Sequence, residues 1–383
     1  MKLSILLFFI VIVYSKNEIY LKRMVEKDYM NRMNVTAIRT LATVCILPLF
    51  ITGYGFGKKV NTSTIFAMDT IMQLEIQGDD KLLTEAGEKI RDIEDTLSVT
   101  REDSEIGKLN REKSATLTMN GTKIMKKALQ ICDATGGSLD ISVYPVLKTW
   151  GFTTGDYRVP SDDELKELIA NVGYDKVHVD YTGDEACKVT IEDGMQIDLG
   201  SVVKGYTGSY IADFFREKGV KSGLINLGGN VECIGTKPDG NPWRVAIKSP
   251  FDDSKSGALG VIDASDIAII TSGGYERFFE ENGERYWHII DPKTGKPARS
   301  GLASVTVIGK DGMVCDGLST ALFVMGEKGA EAFYKKYGKG ENGIAAFDLV
   351  MVTEDRAVYV TEGVSASFTL TSEYEDLKIT VIK

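Results

Sequence analysis

Asp316 and Thr320 are the side chains whose spacing points most directly to chemistry. They lie four positions apart in the run DGLSTAL, which enters a predicted helix, so their oxygens share one face. Hard cations such as Mg²⁺ accept oxygen ligands of this kind, keep some water, and are often completed by substrate phosphates. The alternative, an Asp that caps the helix beside a helix-facing Thr, is the more common arrangement.

Residues 198–206, with the sequence DLGSVVKGY, are predicted to lead from a strand into a helix. The free amides at a helix N-terminus attract anionic groups such as phosphate. Residues 226–230, with the sequence NLGGN, place two glycines after an apolar strand, either to let the backbone approach a ligand or only to turn a corner. Each pattern is common, so neither identifies a site by itself.

His288 is one of only two histidines and precedes the strong turn sequence DPKTG. An imidazole that titrates near neutral pH suits proton transfer, and a structural histidine beside a turn remains an equal alternative. His178 lies within a predicted strand, and we interpret it as structural.

The elements that must position these residues are mixed helices and strands. Met72, Leu74 and Ile76 alternate with polar residues, which predicts a half-buried strand. Apolar residues over 82–97 recur at helical spacing, and Ser161 with Glu164 forms a capping box. We also predict helices over 124–131, 204–218 and 329–337, strands over 243–248, 302–308 and 357–361, and a hairpin around Asp193 and Gly194 flanked by Val189, Ile191, Met195 and Ile197.

Composition narrows the function classes. The 383 residues are 43% hydrophobic and 26% charged, which excludes a disordered chain and a polytopic membrane protein. A net charge of −10 argues against a nucleic-acid partner, because phosphate binding depends on clustered Lys and Arg. The five cysteines match neither a disulfide framework nor a zinc site.

Residues 1–61 differ from the rest, with nine basic against three acidic residues. Their apolar runs, 3–14 and 41–51, are shorter than the ~20 residues of a membrane-spanning helix and resemble signal-peptide cores. We therefore predict a leader over 1–61 and one folded domain over 62–383, with export favoured and lipid anchoring left open. We expect the true first residue to be Met24, Met30 or Met33. The alternative is a misassigned start with an ordinary buried helix.

Taken together, the blocks from Met68 to Thr320 resemble the ApbE family of FAD:protein FMN transferases. The resemblance rests on DLGSVVKGY, NLGGN, TSGGY, HIIDPKTG and DGLST in family order, with support from DSEI, GSLD and WGF. It implies an α+β fold, a single two-lobed domain related to the T-fold, with the active site in the cleft between the lobes.

The resemblance also implies ligands for individual residues. FAD is assigned to Met68, Ser138, Leu139, Asp140, Asp198, Lys204 and Ile290. Mg²⁺ is assigned to the backbone carbonyl of Ser201 and to the side chains of Asp316 and Thr320. We expect His288 to act as general base and Lys204 to stabilise negative charge during phosphoryl transfer.

The expected reaction is Mg²⁺-dependent transfer of FMN from FAD to a threonine of an exported protein, with release of AMP. The expected acceptor carries a Ser/Asp-Gly-Ala-Thr type of sequence, and no segment of this chain fits that role well. An FAD pyrophosphatase and a surface flavin-binding protein without turnover remain alternatives. We expect the enzyme outside the cytoplasm, in contact with the membrane only through its leader.

Overall fold

The computed structural model describes residues 59–183 and 185–383. The predicted export signal lies outside these residues and stays a prediction. Within the described ranges, no helix combines the length and the apolar character needed to span a bilayer.

The elements alternate along the chain as a mixed α and β fold. The helices of the described residues are α1 (Lys81–Leu97), α2 (Glu105–Glu112), α3 (Met119–Ala134), α4 (Tyr144–Thr149), α5 (Asp162–Ile169), α6 (Gly200–Glu217), α7 (Gly312–Tyr337) and α8 (Glu362–Ser365). The strands are β1 (Val60–Ala67), β2 (Thr70–Gln77), β3 (Ser114–Leu117), β4 (His178–Tyr181), β5 (Cys187–Thr190), β6 (Ser222–Leu227), β7 (Asn230–Gly235), β8 (Trp243–Lys248), β9 (Ala258–Ala264), β10 (Ala268–Gly273), β11 (Phe278–Glu281), β12 (Glu284–Trp287), β13 (Leu302–Gly309), β14 (Phe347–Thr353), β15 (Val358–Thr361), β16 (Phe368–Leu370) and β17 (Ile379–Ile382).

One nine-stranded sheet organises the domain, in the order β1-β2-β6-β7-β10-β13-β14-β15-β17. Its neighbouring strands are antiparallel, except for the parallel pair β15 and β17. Smaller sheets join β16-β9-β8, β3-β5-β4 and β11-β12. Buried residues from α6, α7, β10 and β13 share one core, so the two helices are fixed against the middle of the large sheet.

The predicted periodicities are confirmed where one face is buried. Met72, Leu74 and Ile76 of β2 are at most 1% exposed, as the alternation predicted. The apolar stripe of α1 is buried. Ser161 Oγ accepts the Glu164 N–H at 3.2 Å, which confirms the Ser161 half of the predicted capping box, whereas the Glu164 carboxylate binds Arg158 instead. Burial of one face selects these elements because apolar surface gains most when it leaves water.

The predicted hairpin around Asp193 is wrong. The turn forms, with Gly194 at φ 87°, but β5 pairs with β3 and β4, and the residues after the turn form no strand. The amide of Asn110 takes the place of a partner strand there: its Oδ1 accepts the Ile197 N–H at 2.6 Å, and its Nδ2 donates to the Ile197 carbonyl at 2.8 Å. A side chain thus satisfies a backbone that the alternating pattern had predicted to pair in a sheet.

Two predicted helices begin earlier than expected. Helix α6 starts at Gly200, not at residue 204, and an irregular segment rather than the predicted strand precedes it. The helix predicted near 329–337 is the end of α7, which begins at Gly312 and is interrupted at Gly326, where φ is 74°. A Cβ at Gly326 would lie 2.9 Å from the Ser300 carbonyl oxygen, so a close approach accompanies the interruption.

Candidate active site

Helices α6 and α7 meet at two glycines in the centre of the candidate site. A Cβ added at Gly205 would overlap the Gly312 carbonyl oxygen and lie 2.6 Å from the Cβ of Asp316. A Cβ added at Gly312 would lie 2.7 Å from the Gly205 carbonyl oxygen. Only glycine allows this approach. We call the contact between residues 201–209 of α6 and 312–320 of α7 the helix crossing.

Asp316 is buried at the helix crossing, with 6% of its surface exposed. Its Oδ2 accepts the Gly205 N–H at 2.8 Å. In an α-helix this same amide is directed at the carbonyl four residues earlier, which is that of Ser201. The Asp316 carboxylate therefore contacts the backbone of α6 one turn after Ser201. The assignment of Ser201 and Asp316 to one metal stays a prediction.

The capping alternative for Asp316 is wrong. The N-cap of α7 is Asp311, whose Oδ1 accepts the Val314 N–H at 3.1 Å. Asp316 lies one turn further along the helix, where its carboxylate satisfies no terminal amide of α7. A buried carboxylate in the second turn needs another reason to be there.

Thr320 lies on the next turn of α7 among other hydroxyl groups. Ser272 Oγ of β10 is 3.3 Å from Thr320 Oγ1 and 2.8 Å from Ser319 Oγ. Ser319 in turn donates to the Asp316 carbonyl at 2.8 Å. The described residues contain no group of three or more His, Cys, Asp or Glu side chains arranged to hold a metal. The donor set here is instead one carboxylate with neutral oxygens, a set that suits a hard cation which retains water.

Lys204 connects the charged groups of the site. Burial raises the pKa of Asp316, while the Lys204 charge, the Gly205 N–H and the Asn230 amide oppose this shift. Burial also raises the pKa of Asp198, opposed by its bond from the Gly200 amide and by the charges of Arg277 and Lys204. One cation thus acts on both predicted carboxylates, which places Asp198, Lys204 and Asp316 in a common electrostatic environment.

His288 lies directly after β12, where its main-chain N–H and its ring Nδ1 both face the carbonyl oxygen of Arg277, at 3.0 and 3.2 Å. Its ring is partly accessible but closely surrounded by protein atoms. Desolvation lowers the pKa of His288 to about 3, with the positive charges of Arg277 and Lys204 acting in the same direction. The imidazole is therefore neutral at physiological pH, the state in which it accepts a proton.

Met68 occupies the tight turn between β1 and β2. Met68 and Asp69 have φ values of 48° and 57°, which is unusual for residues other than glycine. The Met68 N–H donates to Glu94 Oε1 of α1 at 2.7 Å, so a side-chain contact holds this turn.

The glycine turn of residues 226–230 packs beside the Met68 turn, since a Cβ at Gly228 would overlap the side chain of Thr70. The last residue of that segment, Asn230, is buried, and its side-chain amide lies beside Asp316.

Ser138, Leu139 and Asp140 follow α3 in the chain. The Asp140 carboxylate is already bonded within the protein: Oδ1 accepts from Ser142 N–H at 2.8 Å and Oδ2 from Tyr174 N–H at 3.0 Å. The next residue, Ile141, accepts the Asp198 N–H at 2.8 Å and links this segment to the start of α6. The assignment of these three residues to FAD stays a prediction, and the Asp140 carboxylate already has partners within the protein.

Ile290 lies at the edge of an aromatic cluster formed by residues 150–157 and the β11-β12 hairpin. It is 5% exposed, packs with Trp150 and Phe152, and forms an isolated bridge with Pro297. The predicted turn follows it, with the Asp291 carbonyl accepting the Gly295 N–H at 2.9 Å. The turn fixes the segment that carries both His288 and Ile290.

Three residues of this site were not predicted from the sequence: Asn230, Glu94 and Arg277. Asn230 and Arg277 lie within or next to the NLGGN and TSGGY blocks and could have been suggested by that position. Glu94 gives no such signal, because it is one of several charged residues on the polar face of α1.

Comparison with known proteins identifies the family. The model of the ApbE family matches residues 68–346. A protein named FAD:protein FMN transferase from Vibrio cholerae is 34% identical over 270 residues, which cover 69% of this chain and 79% of that protein. A second of the same name, from Haemophilus influenzae, is 31% identical over 78% of this chain and 88% of its own length.

Solved structures show the same fold. The ApbE protein of Thermotoga maritima has a TM-score of 0.71 and 30% identity, covering 81% of this chain and 99% of that one. The flavin transferase ApbE of Vibrio cholerae, as an H257G mutant, has a TM-score of 0.69 and 28% identity, with the same two coverages. The predicted fold class is confirmed over most of the chain.

Proposed function

The chain belongs to the ApbE family and is an enzyme, and from this premise we propose that it transfers FMN from FAD to a threonine hydroxyl of an exported protein. FAD:protein FMN transferase is the activity that its curated relatives are named for. The threonine target, the magnesium requirement and the residue roles below are our proposals.

The proposed reaction balances as a single phosphoryl transfer. The threonine Oγ forms a bond to the phosphorus of the FMN half of FAD, the bond from that phosphorus to the bridging oxygen breaks, and AMP leaves with that oxygen. The hydroxyl proton passes to the base. The products are the FMN phosphoester of the acceptor and AMP. Most of the catalysis in such a reaction comes from positioning and from stabilising negative charge.

The residues at the helix crossing fit a magnesium ion. Asp316 is a buried carboxylate that accepts the Gly205 N–H and lies beside the charge of Lys204 and the buried side-chain amide of Asn230. Asp316, Thr320 and the Ser201 carbonyl would hold the ion. When bound, Mg²⁺ supplies Lewis-acid stabilisation of charge on the diphosphate oxygens.

Lys204 and His288 supply the remaining functions from the protein. The Lys204 charge acts on Asp198, Asp316 and His288, so a diphosphate bound among them would lie within its field. His288 is neutral, with Nδ1 directed at a carbonyl, so its Nε2 has the lone pair that removes the hydroxyl proton. Typical general-base assistance of this kind contributes ~10²- to 10⁴-fold in rate.

The observation that carries this proposal is the buried Asp316 carboxylate at the glycine contact of α6 and α7. To test it, the full-length protein is incubated with FAD, Mg²⁺ and a purified acceptor protein that contains a Ser/Asp-Gly-Ala-Thr type of sequence, and the acceptor's intact mass is followed. We expect addition of FMN and release of AMP, no addition with EDTA, and no addition by Asp316→Ala. The matched control is Asp213→Ala, an exposed carboxylate on α6, which should retain the activity.

Other outcomes would contradict the proposal in different ways. Free FMN with an unmodified acceptor would indicate the pyrophosphatase alternative, in which water replaces the threonine. Unchanged FAD would indicate a binding protein. Transfer by Asp316→Ala at the wild-type rate would remove the metal site from the proposal.

We further propose that residues 1–61 direct the enzyme out of the cytoplasm and keep it at the membrane surface. The support is the basic, signal-like composition of this segment next to an acidic body. Cell fractionation, with the N-terminus of the mature protein determined, tests it: recovery in the cytoplasm with the leader intact would contradict export.

A further inference from the structure

The strongest unassigned feature is the set of contacts around the His288 ring. Arg277 precedes β11 and His288 follows β12, so they form the next facing pair beyond the Phe278 and Trp287 pair of that hairpin. The Arg277 carbonyl receives both His288 contacts, from the backbone N–H at 3.0 Å and from Nδ1 at 3.2 Å. Because a carbonyl oxygen only accepts, Nδ1 carries the ring proton, and Nε2 is left with its lone pair.

The Arg277 side chain anchors that carbonyl to a different part of the chain. Its Nη2 donates to the Phe152 carbonyl oxygen at 2.8 Å, across 125 positions of sequence. This is the only hydrogen bond of the guanidinium within the described residues, and Arg277 has no ion pair there. An otherwise exposed arginine is thus fixed by one contact to the backbone of the 150–157 loop.

Phe152 contacts both Arg277 and His288. Its ring packs edge-on against the imidazole of His288, with centroids 6.3 Å apart and an interplanar angle of 64°. Phe152 is 3% exposed and is held by Tyr157 and Phe279 at centroid distances of 5.8 Å each. The His288 ring is therefore restrained on one side by a hydrogen bond to Arg277 and on another by a ring that Arg277 itself holds in place.

We propose that Arg277 is a positioning residue that fixes the orientation and the Nδ1–H tautomer of His288, and so directs Nε2 toward the acceptor hydroxyl. This inference rests on the proposed function, because it takes His288 as the base. It extends that function by assigning a role to Arg277, which is not among the residues proposed to bind Mg²⁺ or FAD.

The charges that act on the His288 ring define the expected pH behaviour. Arg277 and Lys204 are the cations that act on it, and the Asp198 carboxylate faces both cations. Removing the Arg277 charge would favour the imidazolium and raise the pKa of His288. Since only the neutral ring acts as a base, the acidic limb of the rate profile would move to higher pH.

The first measurement needs neither FAD nor metal. The chain has only two histidines, so the full-length protein labelled with 15N-histidine gives two sets of ring signals, and His178→Gln identifies those of His288. We expect a single Nδ1–H tautomer for His288 that does not titrate between pH 5 and 8. In Arg277→Met we expect mixed tautomers and titration at higher pH, with Arg277→Lys recovering part of the wild-type spectrum.

The second measurement is the transfer rate. A misplaced catalytic group costs up to ~100-fold, so we expect Arg277→Met to lower kcat by ~10- to 100-fold, with a much smaller change in the KM for FAD. The matched control is Arg244→Met, which removes an exposed arginine from β8 and should change neither the spectrum nor the rate.

Two results would separate the possible failures. An unchanged His288 spectrum in Arg277→Met would overturn the positioning role, whatever the rate does, and a raised KM for FAD alongside it would indicate direct contact with FAD. A wild-type rate in His288→Ala would instead remove the base from the proposed function, while the tautomer measurement would still decide what Arg277 does to the ring.

Discussion

The helix crossing and the segment around His288 hold their reactive groups in opposite ways. At the helix crossing, two glycines bring the backbones of α6 and α7 together, and Asp316 is buried between them. Around His288, a hairpin and a loop position a partly accessible ring through a hydrogen bond and an aromatic contact. Groups that hold a cation and diphosphate benefit from a rigid, buried frame, whereas a base that serves a protein acceptor must stay open to it.

This comparison also explains the direction of the pKa shifts. Desolvation disfavours the charged form in both regions, so it raises the pKa of Asp316 and lowers the pKa of His288. The imidazole therefore stays unprotonated at physiological pH, and the nearby charge of Lys204 opposes the shift at the carboxylate.

Loss of the His288 ring should lower the transfer rate strongly without abolishing it. We expect His288→Ala to transfer FMN ~10²- to 10⁴-fold more slowly than the wild type, because only general-base assistance is lost. Asp316→Ala should leave no measurable transfer, since the proposed metal site is lost with it. Equal residual rates in the two variants, measured by acceptor mass under identical conditions, would break the distinction between the two regions.

Gly205→Ala should disturb the helix crossing without changing any polar side chain. The added Cβ would overlap the Gly312 carbonyl oxygen, and overpacking of this kind costs ~1 to 3 kcal/mol or more of unfolding free energy. Gly208→Ala on the same helix is the matched control, because its nearest neighbours would be 3.8 Å away. Urea unfolding of both variants measures the difference, with Mn²⁺ binding as a second readout.

If Gly205→Ala and Gly208→Ala unfolded alike and bound Mn²⁺ alike, the close backbone approach would not be what positions Asp316. A loss confined to Gly205→Ala would support the helix crossing as the frame of the proposed metal site.

Glu232, which supports the helix crossing, should affect stability in a way that depends on pH. It is 4% exposed, its Oε2 accepts from Ser209 Oγ at 3.2 Å, and Ser209 Oγ accepts the Gly312 N–H at 3.0 Å. Burial raises the pKa of Glu232 to about 7, against 4.5 in the unfolded chain. The folded state then binds more protons, so this group's contribution to stability falls as the pH rises from about 4.5 to about 7.

Glu232→Gln removes this titration and keeps the shape. We expect the free energy of unfolding of the variant not to show the Glu232-dependent decline between pH 5 and 8. At pH 8 the variant should be more stable than the wild type by up to ~3 kcal/mol, at 1.36 kcal/mol per pKa unit. The measurement is the free energy of unfolding by urea at both pH values. A parallel decline in the two proteins would show that Glu232 is not the group responsible.

Local patterns were sufficient for much of the fold and for the types of site residue. The alternation of Met72, Leu74 and Ile76 and the stripe of α1 follow from the periods of a strand and a helix with one buried face. The resemblance of the ordered blocks to one family assigned the enzyme class, which the comparisons confirm.

What the sequence determined by itself, then, is whatever neighbouring residues encode: periodicity, caps, turns and the chemistry of each motif. Tertiary structure decided the rest. Asn110 replaces a strand partner for Ile197 across 87 positions, Gly205 meets Asp316 across 111, and Arg277 reaches Phe152 across 125. The physical reason is that such contacts depend on how distant segments pack once the core forms, and no local pattern carries that information.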